Sequence, residues 1–542
     1  MPTSAQSGLL AAAESVTSAW RMSFSSVHFL LFLPLVVAGF FLLPQKWRRA
    51  WLLLGSYYFY FFAAPKYLVV LLCGTLATWL LGLFIGRAAA GKPRRARMAF
   101  GVVLLVLGLC FFKYNGFFAA FLSPLFAAAG ANYPGGYFTT AGALGISFYT
   151  FTAIGYLVDT ARGDVPAEKN LLNFALFLGF FPSVTMGPIS RAGGLLPQLQ
   201  NPPAKFDAAG AADALRLAAA GYFKKLAVAD TLAIFTTAVY GNITAYTGGT
   251  LTLAAAAFAV QLYFDFSGYT DIARATAQLL GIQLPQNFKN PYYATNFSAF
   301  WQRWHISLSS WLQDYVFTPL VWSRWTEKLP IIGKKVAKPP VLTSLAITFV
   351  LSGVWHGDGL CFLVWGTLQA AFRIGEEVLH RTLGKPKKNA GRAARAGKTA
   401  VVLVLWAESL VFFKMGMTPL PAGAGQGWAV KQAALALVRQ FSPAGFARIG
   451  ADISSAVQNG FYNDGLIAGA FILFCLVCTA LALWADWAEH HRFGGQPFAL
   501  QLGAFTPGAR WGIYILLVVC CFAAFLAQSG GYGGASFLYG GF

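Results

Sequence analysis

Uninterrupted apolar runs of about 17–25 residues recur along this chain, and they restrict its fold more than any other feature. Clear examples are Val27–Leu43, Tyr67–Gly86, Leu466–Trp484 and Trp511–Gln528, with Met98–Phe112 a shorter one. A helix of that length crosses the roughly 30 Å hydrocarbon layer of a bilayer. It also satisfies its own backbone N–H and C=O groups, which an isolated strand or loop facing lipid cannot do. Composition agrees: 57% of the 542 residues are hydrophobic and 11% are charged, where a soluble domain carries roughly a quarter charged residues. The reading is an all-α, polytopic transmembrane helical bundle of about 11–12 spans, with re-entrant or interfacial helices among them.

A net charge of +21 would raise nucleic acid as a partner for a soluble protein. Here the bases cluster between apolar segments: Lys46, Arg48 and Arg49, then Arg87, Lys92, Arg94, Arg95 and Arg97. A third cluster, Arg381 to Lys398, holds seven Lys or Arg and no acid. Basic loops stay on the cytoplasmic side and meet anionic headgroups, so the charge reads as topology and membrane lipid, not nucleic acid. The first two clusters are both inside only if Trp51–Ala64 and Tyr67–Gly86 run out and back, which places the N-terminus outside. Met1–Arg21 lacks the basic start and small-residue cleavage site of a secretory signal and is expected to stay in the mature chain. Cys475 and Cys478 form a CxxC inside the apolar FILFCLVC, without a second pair or a nearby histidine. Small apolar packing residues are expected there, not metal or redox chemistry.

No internal repeat of fixed period and no separate soluble domain is visible. The chain divides into N-terminal transmembrane helices and loop (1–145), a working core (146–380), and a basic cytoplasmic loop with C-terminal transmembrane helices (381–542). Phe117–Gly145, broken by Pro124, Pro134 and several glycines, reads as re-entrant or extracellular. Met417–Asp464 reads as a mixed outer loop, and Ser529–Phe542 is a glycine-rich tail.

Two histidines stand out. Ser352–Gly359, SGVWHGDG, puts His356 at the end of Val341–Leu351, an apolar run without a charged side chain. An ionisable group at membrane depth is costly to desolvate and marks a functional candidate. Gly353 and Gly357 flank it and permit close approach of a backbone or a ligand. Apolar surroundings keep an imidazole neutral, able to take a proton from an alcohol attacking a thioester or ester carbonyl. A helix-packing histidine bonded to a carbonyl is the plain alternative. The second block, Phe300–Tyr315, reads FWQRWHISLSSWLQDY. Taken as one helix, it puts Trp301, Trp304, His305, Leu308, Trp311, Leu312 and Tyr315 on one side, and Arg303, Ser307, Ser310 and Asp314 on the other. An interfacial tryptophan belt explains the tryptophans but not His305.

Neither histidine belongs to an HxxxH or ExxH pair, and Asp358 is the only acid close to His356. The one ExxH, Glu377 to His380, opens the basic loop, so no metal site is read. A GxSxG elbow or a Ser-His-Asp arrangement is also absent. Gln261–Ala273, QLYFDFSGYTDIA, sets Tyr263, Asp265 and Asp271 in an apolar region, while Phe111–Phe118, FFKYNGFF, surrounds Lys113 with aromatics. Such groups fit internal pairing or, taken together, a polar pathway through the bundle.

In chain order, FFKYN, SFYTFTAIGYLVD, FFPSVTMGPISR, QLYFDFSGYTDIA, LPQNFKNPY, FWQRWHISLSSWLQDYV and SGVWHG resemble the membrane-bound O-acyltransferase family, in particular its bacterial alginate O-acetylation-like branch. The resemblance covers about Leu30–Glu376. It implies a bundle around a tunnel across the bacterial cytoplasmic membrane, with the acyl donor entering from the cytoplasm and the acyl group leaving outside. His356 matches the catalytic histidine and His305 the second, motif-borne one. Trp301, Trp304, Trp355, Asp314, Tyr263 and Asp265 are then expected along the tunnel, with Arg303 pairing with Asp314 or meeting the donor's charge. The resemblance further implies a polysaccharide acceptor and an extracytoplasmic SGNH-type partner that holds the serine missing here. Acetyl-CoA or an acyl-carrier thioester would be the donor substrate, with no cofactor bound permanently. Two departures bear on donor and acceptor. The branch usually reads RDY where Gln313, Asp314 and Tyr315 stand, and Asp358-Gly359 follow WHG in place of Ala-Asn or Ala-Ser. After Lys398 the match is weak.

The expectation is therefore an O-acyltransferase that moves an acyl group, acetyl first, onto hydroxyls of an exported polysaccharide. His356 would be general base or proton shuttle, and His305 a positioning or second acid–base group. D-alanyl transfer from a carrier protein to teichoic acid is the rival within the class. A transporter of acyl or lipid groups without chemistry is the rival outside it, because buried polar residues serve that role too.

Overall fold

The computed structural model describes residues 21–128, 130, 144–323, 340–384, 391–421, 423–442, 448–460 and 465–529. Among the described residues the regular structure is helical throughout. They group into two compact units, residues 21–218 with 269–285, and residues 219–268 with 286–529.

In the first unit α1 (Val27–Leu42), α2 (Gln45–Ala63), α3 (Leu68–Gly86) and α4 (Lys92–Lys113) follow one another through short turns. Local chemistry sets their starts. Ser26 caps α1 by accepting a hydrogen bond from Phe29 N at 3.2 Å. Pro44 precedes α2, Pro65 opens the turn into α3, and a proline sits in the first turn of α4, where a missing N–H costs nothing. Then come α5 (Asn115–Ala128), α6 (Ile146–Arg162), α7 (Leu171–Gly179) and α8 (Ala192–Gln200).

The chain enters the second unit along α9 (Ala208–Tyr222), a π turn at Phe223–Ala229 and α10 (Asp230–Gly241). In α11 (Gly248–Leu279), residues 248–268 belong to the second unit and the remainder to the first. Two short helices follow, α12 (Phe297–Trp301) and α13 (Ile306–Leu312), then α14 (Val341–His356), α15 (Leu360–Leu383) and α16 (Arg392–Met417). The last are α17 (Gln426–Gln440), α18 (Ile449–Gly460), α19 (Gly465–His491) and α20 (Pro507–Ser529).

This is a multi-pass helical membrane protein. Among the described residues six helices are long and apolar enough to cross a bilayer: α3, α4, α11, α16, α19 and α20. Helices α1 and α14 are apolar but have 16 residues each, about 24 Å of rise. The expected 11–12 spans are thus not reached on length and apolarity. Helix α2 opens with Lys46, Arg48 and Arg49, and the apolar stretch around 171–184 breaks at Phe180 between α7 and a four-residue turn. Burial separates the spans: 72% of the apolar window of α11 is buried by protein, against 11% of that of α20. Trp511, Ile515, Val518 and Phe522 form an exposed stripe along α20, the arrangement of a lipid-facing helix.

Two further expectations are corrected. Pro124 does not break its stretch but lies inside α5, while residues 131–143 lie outside the described residues. Met417–Asp464 is not a loop, since it holds α17 and α18. In α17, Ala429, Ala433, Ala436 and Gln440 recur on one buried face, a helical period that small residues concealed. Residues 1–20, the tail from 530 and residues 385–390 of the third basic cluster lie outside the described residues.

Candidate active site

His356 is the last residue of α14, whose 16 residues carry no other ionisable side chain. Residues 357–359 then turn the chain into α15. A Cβ at Gly353 would stand 2.5 Å from the Phe362 carbonyl oxygen and 2.8 Å from Gly366 Cα. The two helices therefore meet backbone to backbone, a crossing that only glycine allows. This close contact sets the buried His356 ring edge-on to Trp365, at 5.0 Å between centroids, with Trp355 at 4.6 Å and Phe413 of α16 at 5.1 Å. Asp358, the nearest acid in sequence, is exposed.

Phe300–Tyr315 is not one helix, and the face assignment made for it fails. α12 stops at Trp301, α13 begins at Ile306, and Gln313–Phe317 widens into a π turn. His305 stands at the break with φ 43° and ψ 54°, a left-handed conformation that costs a non-glycine residue roughly 1–2 kcal/mol. Asn287 holds the corner: its carbonyl accepts from Ile306 N at 2.9 Å and its Oδ1 from Ser307 N at 3.1 Å. Lys289 N also donates to Arg303 O at 3.0 Å. These contacts from residues 287–289 satisfy a backbone that a continuous helix would have satisfied itself. The same break separates Asp314, exposed on the π turn, from Arg303. Among the described residues no ion pair joins them.

His305 is 1% exposed, and burial pushes its pKa down to about 3. Its ring lies edge-on to Phe266 at 4.6 Å. From there rings continue through Phe288 (5.2 Å) and Trp304 (5.1 Å) to Trp406 (4.9 Å) and Trp365 (6.3 Å), which touches His356. Trp301 packs on Trp365 and Trp406 at 6.3 and 6.0 Å. The two histidines thus bound one continuous aromatic wall. The indole N–H groups of Trp301, Trp365 and Trp406 are buried and find no acceptor among the described residues. An orphaned buried donor costs roughly 1–3 kcal/mol, so the wall offers hydrogen bonds to a polar guest. Beside it lies a cavity of about 450 Å³, bounded by Trp301, Gln302, Ser309 and Ser310 on one side and by Thr348, Ser352 and Arg373 on the other.

The remaining candidates are tied into internal pairs. Asp265 accepts from Lys225 Nζ at 2.7 Å, and Lys225 also meets Asp230 at 2.7 Å, all three buried. The Tyr263 hydroxyl donates to Asp486 Oδ1 at 2.6 Å, which accepts from Asn290 Nδ2 at 2.9 Å as well. Asp271 pairs with Arg274 at 3.5 Å, one helical turn on. Asp265 and Asp271 thus each have an ion-pair partner of their own, Lys225 and Arg274.

A sequence profile described as MBOAT, the membrane-bound O-acyltransferase family, matches residues 165–408. A probable alginate O-acetylase of Pseudomonas putida is 35% identical over 360 residues, which cover 66% of this chain and 71% of that protein. Its counterpart in Pseudomonas syringae pv. tomato is 36% identical over 349 residues, 64% of each chain. A peptidoglycan O-acetyltransferase of Helicobacter pylori is 29% identical over 409 residues, 69% of this chain and 74% of that protein. The chain belongs to the membrane-bound O-acyltransferase family. It spans between 64% and 74% of the length of these three relatives.

The matched range of this family member contains both histidines, the aromatic wall through Trp406, and the Lys225 cluster. Asp486, the partner of Tyr263, lies beyond it. Sequence reasoning missed Lys225, Asp230, Trp365, Trp406 and Asp486. A signal existed for the first two, since FKKLAVAD places Lys225 five residues before Asp230 in apolar surroundings. Trp406 and Phe413 repeat at a spacing of seven, which puts both on one face of α16. Nothing local announces Asp486.

Proposed function

We propose that this protein transfers an acyl group, acetyl in the first place, from a thioester donor to a hydroxyl of an exported or cell-envelope polysaccharide. The observation that carries the reading is the buried His356, set against Trp365 at the end of the aromatic wall in a chain of the O-acyltransferase family. Ser352, one turn before it, and Trp301 line the neighbouring cavity of about 450 Å³, whose lining does not include His356 itself; this reading brings the acceptor hydroxyl and the thioester carbonyl in from that cavity.

In this reading the His356 imidazole takes the proton of the acceptor hydroxyl as that oxygen bonds to the thioester carbonyl carbon. The carbon–sulfur bond breaks, and the departing thiolate takes the proton. Indole N–H groups of the wall donate to the carbonyl oxygen as negative charge develops on it. His305, held in its strained corner, positions the wall or serves as the second acid–base group. The donor, acetyl-CoA or a carrier-protein thioester, enters from the cytoplasm; the hydroxyl acylated in this step is the serine of an extracytoplasmic SGNH-type partner, which passes the acyl group on to the polysaccharide. The basic clusters support a chain in the bacterial cytoplasmic membrane with its N-terminus outside.

The test uses purified protein in lipid with radiolabelled acetyl-CoA, comparing wild type with His356→Ala at matched melting temperature. Thioester cleavage that needs His356 supports the reading. Label transfer that survives His356→Ala refutes the role given to this residue. If wild type cleaves only a D-alanyl carrier thioester, the donor is the carrier and the acetyl assignment falls.

A further inference from the structure

The first unit holds a further cavity, which shares no lining residue with the one beside the aromatic wall. Its volume is about 710 Å³, and Trp79, Leu83, Arg87, Arg94 and Lys169 are among the residues that line it. Three of these carry positive charge, and among the described residues no carboxylate lines the space. Glu168, next to Lys169 in sequence, turns its carboxylate to Asn170 N at 2.7 Å and to the Gln200 side chain. The wall is held in place: Trp79 Nε1 donates to Glu168 O at 2.9 Å, and Arg94 donates to Ala88 O at 3.0 Å, fixing the turn between α3 and α4.

Length fixes the depth of this cavity in the bilayer. The apolar segment Pro65–Gly86 has 22 residues, about 33 Å of rise, which matches the hydrocarbon layer. The turn at Arg87 therefore lies at headgroup level. Leu83 sits roughly 6 Å deeper along α3 and Trp79 roughly 12 Å deeper. The cavity thus has cations at headgroup depth and an apolar wall that runs on into the acyl-chain region.

We propose that this cavity binds an anionic membrane phospholipid, with its headgroup phosphate between Arg87, Arg94 and Lys169 and an acyl chain along Leu83 and Trp79. A soluble anion would use the cations and leave the apolar wall idle. A zwitterionic lipid would use the wall and set a second cation among three. Basic pockets between membrane-spanning helices suit a negatively charged headgroup on both counts. The site is independent of the reading of His356.

Native mass spectrometry of the purified full chain tests it, with phosphatidylglycerol or phosphatidylcholine added at equal concentration. The Arg87→Gln/Lys169→Gln pair removes two exposed cations. The Arg395→Gln/Lys398→Gln pair removes two exposed cations on α16 as a control. We expect wild type to retain phosphatidylglycerol over phosphatidylcholine, and the first pair to weaken that retention about thirtyfold, as two cations at about 1 kcal/mol each imply. The control pair should leave it unchanged, and inorganic phosphate should not displace the lipid. Equal retention of both lipids refutes the site, as does equal weakening by the control pair, which would mean bulk charge. Displacement by inorganic phosphate would show a soluble-anion site instead.

Discussion

Replacing Lys225 by methionine should be the most destabilising single change outside the aromatic wall. Lys225 Nζ lies 2.7 Å from an oxygen of both Asp230 and Asp265, and the three side chains are at most 5% exposed. Lys225→Met leaves two buried carboxylates facing each other without their cation. Breaking a buried pair in this way costs about 3–5 kcal/mol. Asp230→Asn makes the opposite change at the same place. It removes the surplus negative charge and leaves one Lys–Asp pair, so it should be neutral or stabilising. Fluorescence-monitored melting of the purified protein in detergent compares the two. A Lys225→Met protein that melts with wild type, or an Asp230→Asn protein that falls further than Lys225→Met, refutes the charge argument.

The same cluster carries a pH signature. Burial pushes the Asp230 carboxyl up to about 7 despite the pull of Lys225, whereas an unfolded aspartate titrates near roughly 4. Between these values the folded protein holds a proton that the unfolded chain has released. The Asp230 contribution therefore favours folding at about pH 4, declines as pH rises towards 7, and levels off above. Wild type should lose melting temperature over this window relative to Asp230→Asn. A constant difference between the two proteins from pH 4.5 to 8 would count against a raised Asp230.

Gly353→Ala places a Cβ 2.5 Å from a backbone oxygen, which cannot move aside, so it should cost at least the roughly 1–3 kcal/mol of overpacking and abolish acyl transfer. Gly375→Ala in the same hairpin, where a Cβ meets nothing within 4 Å, should melt at or above wild type. Asn287→Ala removes the acceptor for Ser307 N and should cost about 1–3 kcal/mol, while Asn287→Asp keeps an acceptor and should restore most of the melting temperature. Trp365→Phe keeps a ring against His356 and removes an indole N–H that has no acceptor among the described residues. It should melt like wild type and lower the acyl-transfer rate about tenfold, the worth of one hydrogen bond to the reacting carbonyl; an unchanged rate would remove that N–H from the mechanism.

The membrane-spanning character was legible because it rests on local quantities, run length and charge, that tertiary contacts scarcely alter. His356 was visible for the same reason, being the one ionisable group ending an uncharged helix. The error at Phe300–Tyr315 has a different origin. Its apolar spacing suits a helix, but Asn287 supplies long-range acceptors that make a left-handed corner at His305 tolerable, and no helical wheel contains Asn287. α17 was hidden because alanines carry its buried face and give little hydropathy contrast. Nothing in their local sequence separates Trp365 and Trp406 from ordinary spanning-helix aromatics. Their meaning lies in mutual contact, which depends on the Gly353–Gly366 crossing.

Both candidate histidines stand where a helix stops: His356 ends α14, and His305 immediately precedes α13. Helix ends leave backbone N–H and C=O groups unfilled, which lipid would punish and which only enclosing protein or a lined cavity makes tolerable. The aromatic wall provides that enclosure from uncharged rings, while Lys225, Asp230 and Asp265 form a separate buried cluster. The rings packed on His356 are Trp355, Trp365 and Phe413. The irregular backbone that moves each histidine off a regular helix, and the aromatic seal that makes the irregularity affordable, are therefore parts of one device.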